Sequence, residues 1–222
     1  MAAKAGKKNP ETAASSRKLV LLALLVGLAA GVMTAALLAI VPQSAPQQQT
    51  IGKAAIGGPF ALKDGAGKAV TEKDFAGKPM LVFFGFTHCP DVCPAGLQVI
   101  AAALDELGDK ASRMTPLFIT VDPERDTPEV VDKYAKSFHK TIVGLSGTPE
   151  EVAAAIKAYR VYAKKVPDEA NPGEYSVDHS PFIYLMDARG EFVRHFSHGA
   201  DAKMIAAEIA RVIDAGQTAA SL

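Results

Sequence analysis

Apolar residues along this chain are grouped in short blocks whose spacing changes from element to element. Residues 80–86 (Met-Leu-Val-Phe-Phe-Gly-Phe) and 115–121 (Thr-Pro-Leu-Phe-Ile-Thr-Val) are continuous apolar runs of strand length, the pattern of strands buried on both faces. Between them Leu97, Ile100, Leu104 and Leu107 recur at helical spacing, predicting a helix over about 91–107. A helix over about 128–138 follows, with Thr127 as its cap and Pro128 at its first position. Residues 142–145 read as a short strand, and Thr148-Pro-Glu-Glu151 as a capping box opening a helix to about Tyr159. Residues 60–70 predict a hairpin turning at Asp64–Gly67. Residues 166–177, with two prolines and a glycine, read as an inserted loop or hairpin. Strands at 182–186 and 191–196, joined by Asp187-Ala-Arg-Gly190, precede a closing helix over about 201–215, with Gly216 beyond its end.

The order is hairpin, β, α, β, α, β, α, β-hairpin, α. Strand–helix alternation predicts a parallel core, and the last hairpin adds antiparallel strands. With cysteines at the end of the first core strand, this is a thioredoxin-like α/β fold: a mixed sheet flanked by helices, with an N-terminal hairpin and an inserted loop or hairpin. Ser180-Pro181, before the penultimate strand, matches the place where such folds keep a cis proline beside the cysteines, so a cis bond is expected there.

One apolar block belongs to no core. Residues 19–41 are 23 residues without a charge, long enough to cross a bilayer. Lys4, Lys7, Lys8, Arg17 and Lys18 precede it against a single Glu11, and no charge follows before Lys53. The positive-inside rule then predicts a cytoplasmic tail (1–18), an anchor (19–41), a Gln-rich tether (42–50) and an exported domain (51–222). A cleaved signal peptide ending near Ser44-Ala45 is the alternative, disfavoured because signal cores usually run only ~7–15 residues. A mitochondrial presequence fits less well, given Glu11 and a single Arg ahead of the run. The expected location is the bacterial inner membrane, single-pass, with the domain in the periplasm. Net charge is zero, but beyond the tail 19 basic residues face 23 acidic ones, a net of −4. An acidic exported domain without an aromatic–basic patch excludes nucleic acid as a partner.

The candidate chemistry lies at Thr87-His-Cys-Pro-Asp-Val-Cys-Pro94, which holds both cysteines of the chain. A strand turning into a helix surrounds Cys89 and Cys93 with unpartnered backbone N–H groups, which favour thiolate. Three chemistries compete. A structural disulfide would gain little from so small a loop. Thiol–disulfide exchange usually uses two intervening residues, and here there are three. Metal binding needs a further ligand, for which imidazole suits. Among five histidines, His88 is expected to point away from the sulfurs and His139 to end a helix. His195 and His198 would face opposite sides of a strand. His179 stands just before Ser180-Pro181, which the fold would bring beside the cysteines. Two thiolates and one imidazole form a soft site that favours Cu(I) and can also hold Cu(II). A peroxidase of the peroxiredoxin type is disfavoured, because Thr87 stands two residues before Cys89 and that chemistry needs three.

The chain resembles the SCO/SenC family of copper-binding cytochrome c oxidase assembly proteins. The resemblance rests on Gly85-Phe-Thr-His-Cys-Pro-Asp-Val-Cys-Pro94, Val121-Asp-Pro-Glu-Arg-Asp-Thr-Pro128, and Val177-Asp-His-Ser180 with Ile183-Tyr-Leu185. It implies that Cys89, Cys93 and His179 are copper ligands, that Asp178 and Pro181 shape the surroundings of His179, and that Asp122, Arg125 and Asp126 match an acidic loop. Pro181 departs from the family, which often has another small or apolar residue there. The activity implied is a metallochaperone passing copper from an upstream donor to the binuclear copper site of cytochrome c oxidase subunit II, or to another copper acceptor, with the cysteine pair under redox control. The alternative is an enzyme, a periplasmic thiol–disulfide reductase acting on the cysteines of the apo-oxidase subunit.

Overall fold

The computed structural model describes residues 56–220. The tail, anchor and tether expected over 1–50 lie outside them, and among the described residues no helix is long and apolar enough to cross a membrane.

The expected N-terminal hairpin is present, as β1 (Ala61–Lys63) paired antiparallel with β2 (Ala69–Thr71). Asp64 closes it by accepting the Ala66 and Lys68 N–H groups at 3.0 Å each. The core sheet has five strands: β3 (Met80–Gly85), β4 (Thr115–Thr120), β5 (Val143–Leu145), β8 (Phe182–Met186) and β9 (Phe192–Ser197). Their spatial order is β5-β4-β3-β8-β9. β3, β4 and β5 run parallel, whereas β8 and β9 are antiparallel additions. β3 is central, and all six of its residues are buried, which accounts for its unbroken apolar sequence.

Helices α1 (Val92–Leu107) and α2 (Pro128–Phe138) are the crossovers from β3 to β4 and from β4 to β5. Right-handed crossovers moving the same way across a sheet place both helices on one face. α3 (Pro149–Ala158) and α4 (Ala202–Ala220) complete the set. Thr127 and Thr148 cap α2 and α3 through the Val130 and Glu151 N–H groups, and Glu151 completes the capping box. α4 packs against α1 and runs further than its sequence suggests, with Gly216 inside it. Gly216 is not among the glycines of positive φ, so it does not make the left-handed turn that would end a helix.

Alternate residues of β3 face different partners. Phe83 packs under Gly96 of α1, where an added Cβ would lie 2.6 Å from the ring. Phe84 points the other way, 5.2 Å from the Tyr159 ring and 6.3 Å from Tyr184. Gly85, last in β3, therefore returns to the α1 side.

The inserted segment is a hairpin, β6 (Ala163–Pro167) with β7 (Tyr175–His179), forming a two-stranded sheet of its own. His179 is its last residue. Among the described residues there is no cis peptide bond, so Ser180-Pro181 is trans, contrary to expectation. The ordinary trans preference of ~0.5–1 kcal/mol is not overridden here. Ser180 donates its N–H to the Tyr162 carbonyl and its hydroxyl accepts the Tyr162 N–H, at 3.0 and 3.1 Å. That pairing carries the extended chain from β7 into β8 without a reversal at Pro181.

Candidate metal centre

The β3–α1 turn builds the cysteine half of the site. Cys89 N–H donates to the Phe86 carbonyl at 3.3 Å, and α1 begins only at Val92. The two cysteines therefore do not share a helical face: Cys93 lies in the first turn and Cys89 precedes the helix. Asp91 makes no side-chain cap. The Cys89 sulfur takes that part, accepting the Cys93 N–H at 3.4 Å. Both cysteines are free thiols. Cys93 is fully buried and Cys89 half-buried, so only one of the pair is open to solvent.

Gly85 makes room for the buried sulfur. A Cβ there would stand 2.7 Å from Cys93 Sγ and 2.8 Å from the Phe118 ring. No periodicity argument marks this glycine, since its constraint comes from an element that follows it in sequence.

His179 supplies the other half. Its Nδ1 lies 3.2 Å from the Val177 carbonyl. A carbonyl can only accept, so Nδ1 carries a proton and Nε2 is the ring nitrogen turned toward the sulfurs. Nε2 faces Cys93 Sγ at 3.6 Å. The Phe86 ring, almost fully buried, packs edge-on against the imidazole at 5.7 Å.

The thiols differ in acidity. Hydrogen bonding from Cys93, the Asp91 and Cys93 N–H groups and the nearby imidazole lower Cys89 to about 5. The hydrogen bond to Cys89 and its own burial push Cys93 well above the ordinary thiol range. The pair thus holds a single proton at neutral pH, carried by Cys93 between the Cys89 sulfur and the His179 imidazole.

Among the described residues no group of three or more His, Cys, Asp or Glu side chains is already gathered to hold a metal ion. One edge is nonetheless set. Donors bound ~2.0–2.3 Å from a shared ion in a trigonal plane lie about 3.5–4 Å apart, and Cys93 and His179 are at 3.6 Å. Cys89 Sγ stands next to this edge, accepting the Cys93 N–H at 3.4 Å.

The remaining expected residues separate clearly. Asp178 is exposed and, one residue from His179 in β7, lies on the opposite face; the Val177 carbonyl orients the imidazole instead. Pro181 is partly buried and contributes a trans bond. His88 is directed to the acidic side, 3.2 Å from Thr87 Oγ1 and 3.9 Å from Asp126. His139 caps the C-terminus of α2 beside Asp105. His195 stacks among Phe182 and Phe192. Asp122 and Asp126, read as an acidic loop, have no exposed surface.

A model of the SCO1/SenC family matches residues 48–214. The chain is 47% identical over 151 residues to the mitochondrial SCO1 homolog 1 of Arabidopsis thaliana, covering 68% of this chain and 45% of that protein. It is 42% identical over 167 residues to SenC of Rhodobacter capsulatus, covering 74% of each. It spans about half the length of the mitochondrial relatives it matches. A structure of Bradyrhizobium japonicum ScoI with copper bound superposes with a TM-score of 0.66 at 51% identity, covering 71% of this chain and 99% of that one. By the extent of these matches, the chain belongs to the SCO1/SenC family.

Proposed function

We propose that this chain is a membrane-anchored copper metallochaperone whose domain faces the periplasm. Cys89 and Cys93, as thiolates, and the His179 imidazole hold the copper. The observation that carries this reading is Nε2 of His179 facing Cys93 Sγ at 3.6 Å beside a second free thiol. A two-sulfur, one-nitrogen set is soft and suits Cu(I), and the copper-bound ScoI relative agrees with that choice of ion.

Copper is cargo here. Loading displaces the proton held by Cys93, so binding releases protons and weakens in acid. Cys89, the half-exposed member of the pair, is the sulfur through which copper enters and leaves by ligand exchange. Exchange with an external disulfide, which takes up the two electrons and becomes two thiols, joins Cys89 to Cys93 as a disulfide, and the loss of both thiolates releases the ion. The acceptor inferred from family membership is subunit II of cytochrome c oxidase, with an upstream protein as donor.

A second reading draws on the low pKa of Cys89. A half-exposed thiolate can attack an acceptor disulfide, and Cys93 can then resolve the mixed disulfide; two protein thiols become a disulfide as the acceptor gains two thiols. Titrating the reduced full-length chain in detergent with Cu(I) against a chromophoric competitor separates the two. The chaperone reading requires one Cu(I) per chain and a sharp loss of affinity in His179→Ala. Wild-type copper binding in His179→Ala, together with loss of disulfide reduction in Cys89→Ser, favours the reductase.

A further inference from the structure

Two carboxylates with no exposed surface, Asp122 and Asp126, stand in the seven-residue loop between β4 and α2. Buried charges persist only where partners compensate their desolvation. Here those partners lie in the two halves of the metal centre.

Asp126 accepts the Thr87 N–H at 3.0 Å, the Thr87 hydroxyl at 2.5 Å and the Thr120 hydroxyl at 2.7 Å. Thr87 is two residues before Cys89. Ser146, from beyond β5, ties the Asp126 carbonyl down at 2.5 Å. Asp122 accepts Arg125 Nε at 2.5 Å and the Tyr175 hydroxyl at 2.7 Å. Arg125 Nη1 donates to the Tyr175 carbonyl at 3.0 Å, and its guanidinium lies 3.8 Å from the Tyr175 ring centroid. Lys165 stands over the same ring at 4.5 Å. Tyr175 opens β7 and His179 ends it. Residues 175, 177 and 179 share one face of that strand.

The position of β7 needs such a hold. β7 pairs only with β6, in a sheet separate from the five strands that carry the cysteines. The ladder between β8 and β3 fixes the chain from Phe182 onward, but no ladder holds β7 itself against the cysteine turn.

We propose that the Asp122–Asp126 loop positions the metal centre: Asp126, through Thr87, places the cysteine turn, and Asp122, through Tyr175, places the histidine strand. Neither carboxylate touches the ion. Asp122 and Asp126 form an internal clasp, because both are inaccessible to a partner, whereas Glu124, the loop's third acid, is exposed and pairs with Lys165 at 2.5 Å.

The inference rests on the three-ligand reading, and a double-mutant cycle on the full-length reduced chain tests each separately. Tyr175→Phe removes the hydroxyl bond to Asp122 and keeps the ring between Arg125 and Lys165. Copper competition should show about a tenfold loss of Cu(I) affinity, the low end of the range for partners that orient a ligand. In a His179→Ala background Tyr175→Phe should cost nothing further. Thr87→Val, acting through the cysteine turn, should cost affinity in both backgrounds. With Cu(II) as probe, nitrogen hyperfine coupling should weaken in Tyr175→Phe and persist in Thr87→Val. Wild-type affinity in Tyr175→Phe, or an equal loss in both backgrounds, overturns the clasp while leaving the ligand set standing. Wild-type affinity in His179→Ala overturns the ligand set itself, and the clasp with it.

Discussion

Replacing Gly85 with alanine tests whether the close approach of β3 to the buried sulfur shapes the centre. The new methyl would meet Cys93 Sγ at 2.7 Å and Phe118 Cε2 at 2.8 Å, inside ordinary contact distance. Neither neighbour is free to yield. Phe118 is fully buried, 5.9 Å from the Phe83 ring and 5.8 Å from Tyr134. Cys93 is fixed by the first turn of α1. Overpacking of a close-packed interior costs about 1–3 kcal/mol, offset by about 0.5–1 kcal/mol from replacing a strand glycine. The net is centred near ~1 kcal/mol within a span of roughly 0–2.5, and a loss of about 1 kcal/mol lowers the melting temperature of a domain this size by about 2–4 °C. Copper affinity should fall as well, because the easier displacement is of the sulfur. Gly96→Ala is the control. Its methyl would meet the Phe83 ring at 2.6 Å, so it should lose comparable stability and keep copper binding. Calorimetry of the metal-free protein and Cu(I) competition read the two effects separately. Unchanged stability and affinity in Gly85→Ala, or equal copper losses in both variants, would refute the reasoning.

Other outcomes follow from the same geometry. Alkylation of Cys89 by iodoacetamide should rise with pH through about 5, while Cys93 stays unreactive in the folded chain; an onset above pH 8 contradicts the acidity assigned to Cys89. Because that pKa is depressed from its unfolded value near 9.0, the ionised thiol stabilises the fold fully above pH 9 and loses its effect as pH falls through about 5. The stability difference between wild type and Cys89→Ser should therefore shrink on acidification across that window. Carbonate-washed membranes should retain the full-length chain, and deleting residues 19–41 should release it; recovery of a soluble chain beginning near Ala45 indicates a cleaved signal peptide instead.

Much of this centre was legible in the sequence because its cysteine half is local. An unbroken apolar strand followed at once by a periodic helix locates Cys89 and Cys93 without any tertiary information. His179, ninety residues after Cys89, was reached through its position before Ser180-Pro181, although the supposed reason, a cis bond, is absent. His179 lies beside Cys93, but by another route: the Ser180–Tyr162 pairing, invisible in sequence, leads β7 into β8. Three other features lay beyond reach. The room made by Gly85 and the burial of Asp122 and Asp126 depend on contacts between segments apart in sequence, and the orientation of His179 depends on its ring turning back onto the Val177 carbonyl two residues before it. In sequence Asp122 and Asp126 read as part of an acidic loop, and bonds from Thr87, Thr120, Arg125 and Tyr175 explain their place inside. The sulfur pair likewise looked symmetric in sequence. Burial and hydrogen bonding divide it into an accessible thiolate at Cys89 and a protonated thiol at Cys93.

The ligand set is tested most directly by the copper K-edge X-ray absorption spectrum of the reduced, Cu(I)-loaded full-length chain. The account predicts two sulfur scatterers and one nitrogen or oxygen scatterer with the multiple-scattering signature of imidazole, lost in His179→Ala. A spectrum with sulfur ligands alone, or an imidazole signature that survives His179→Ala, would contradict it.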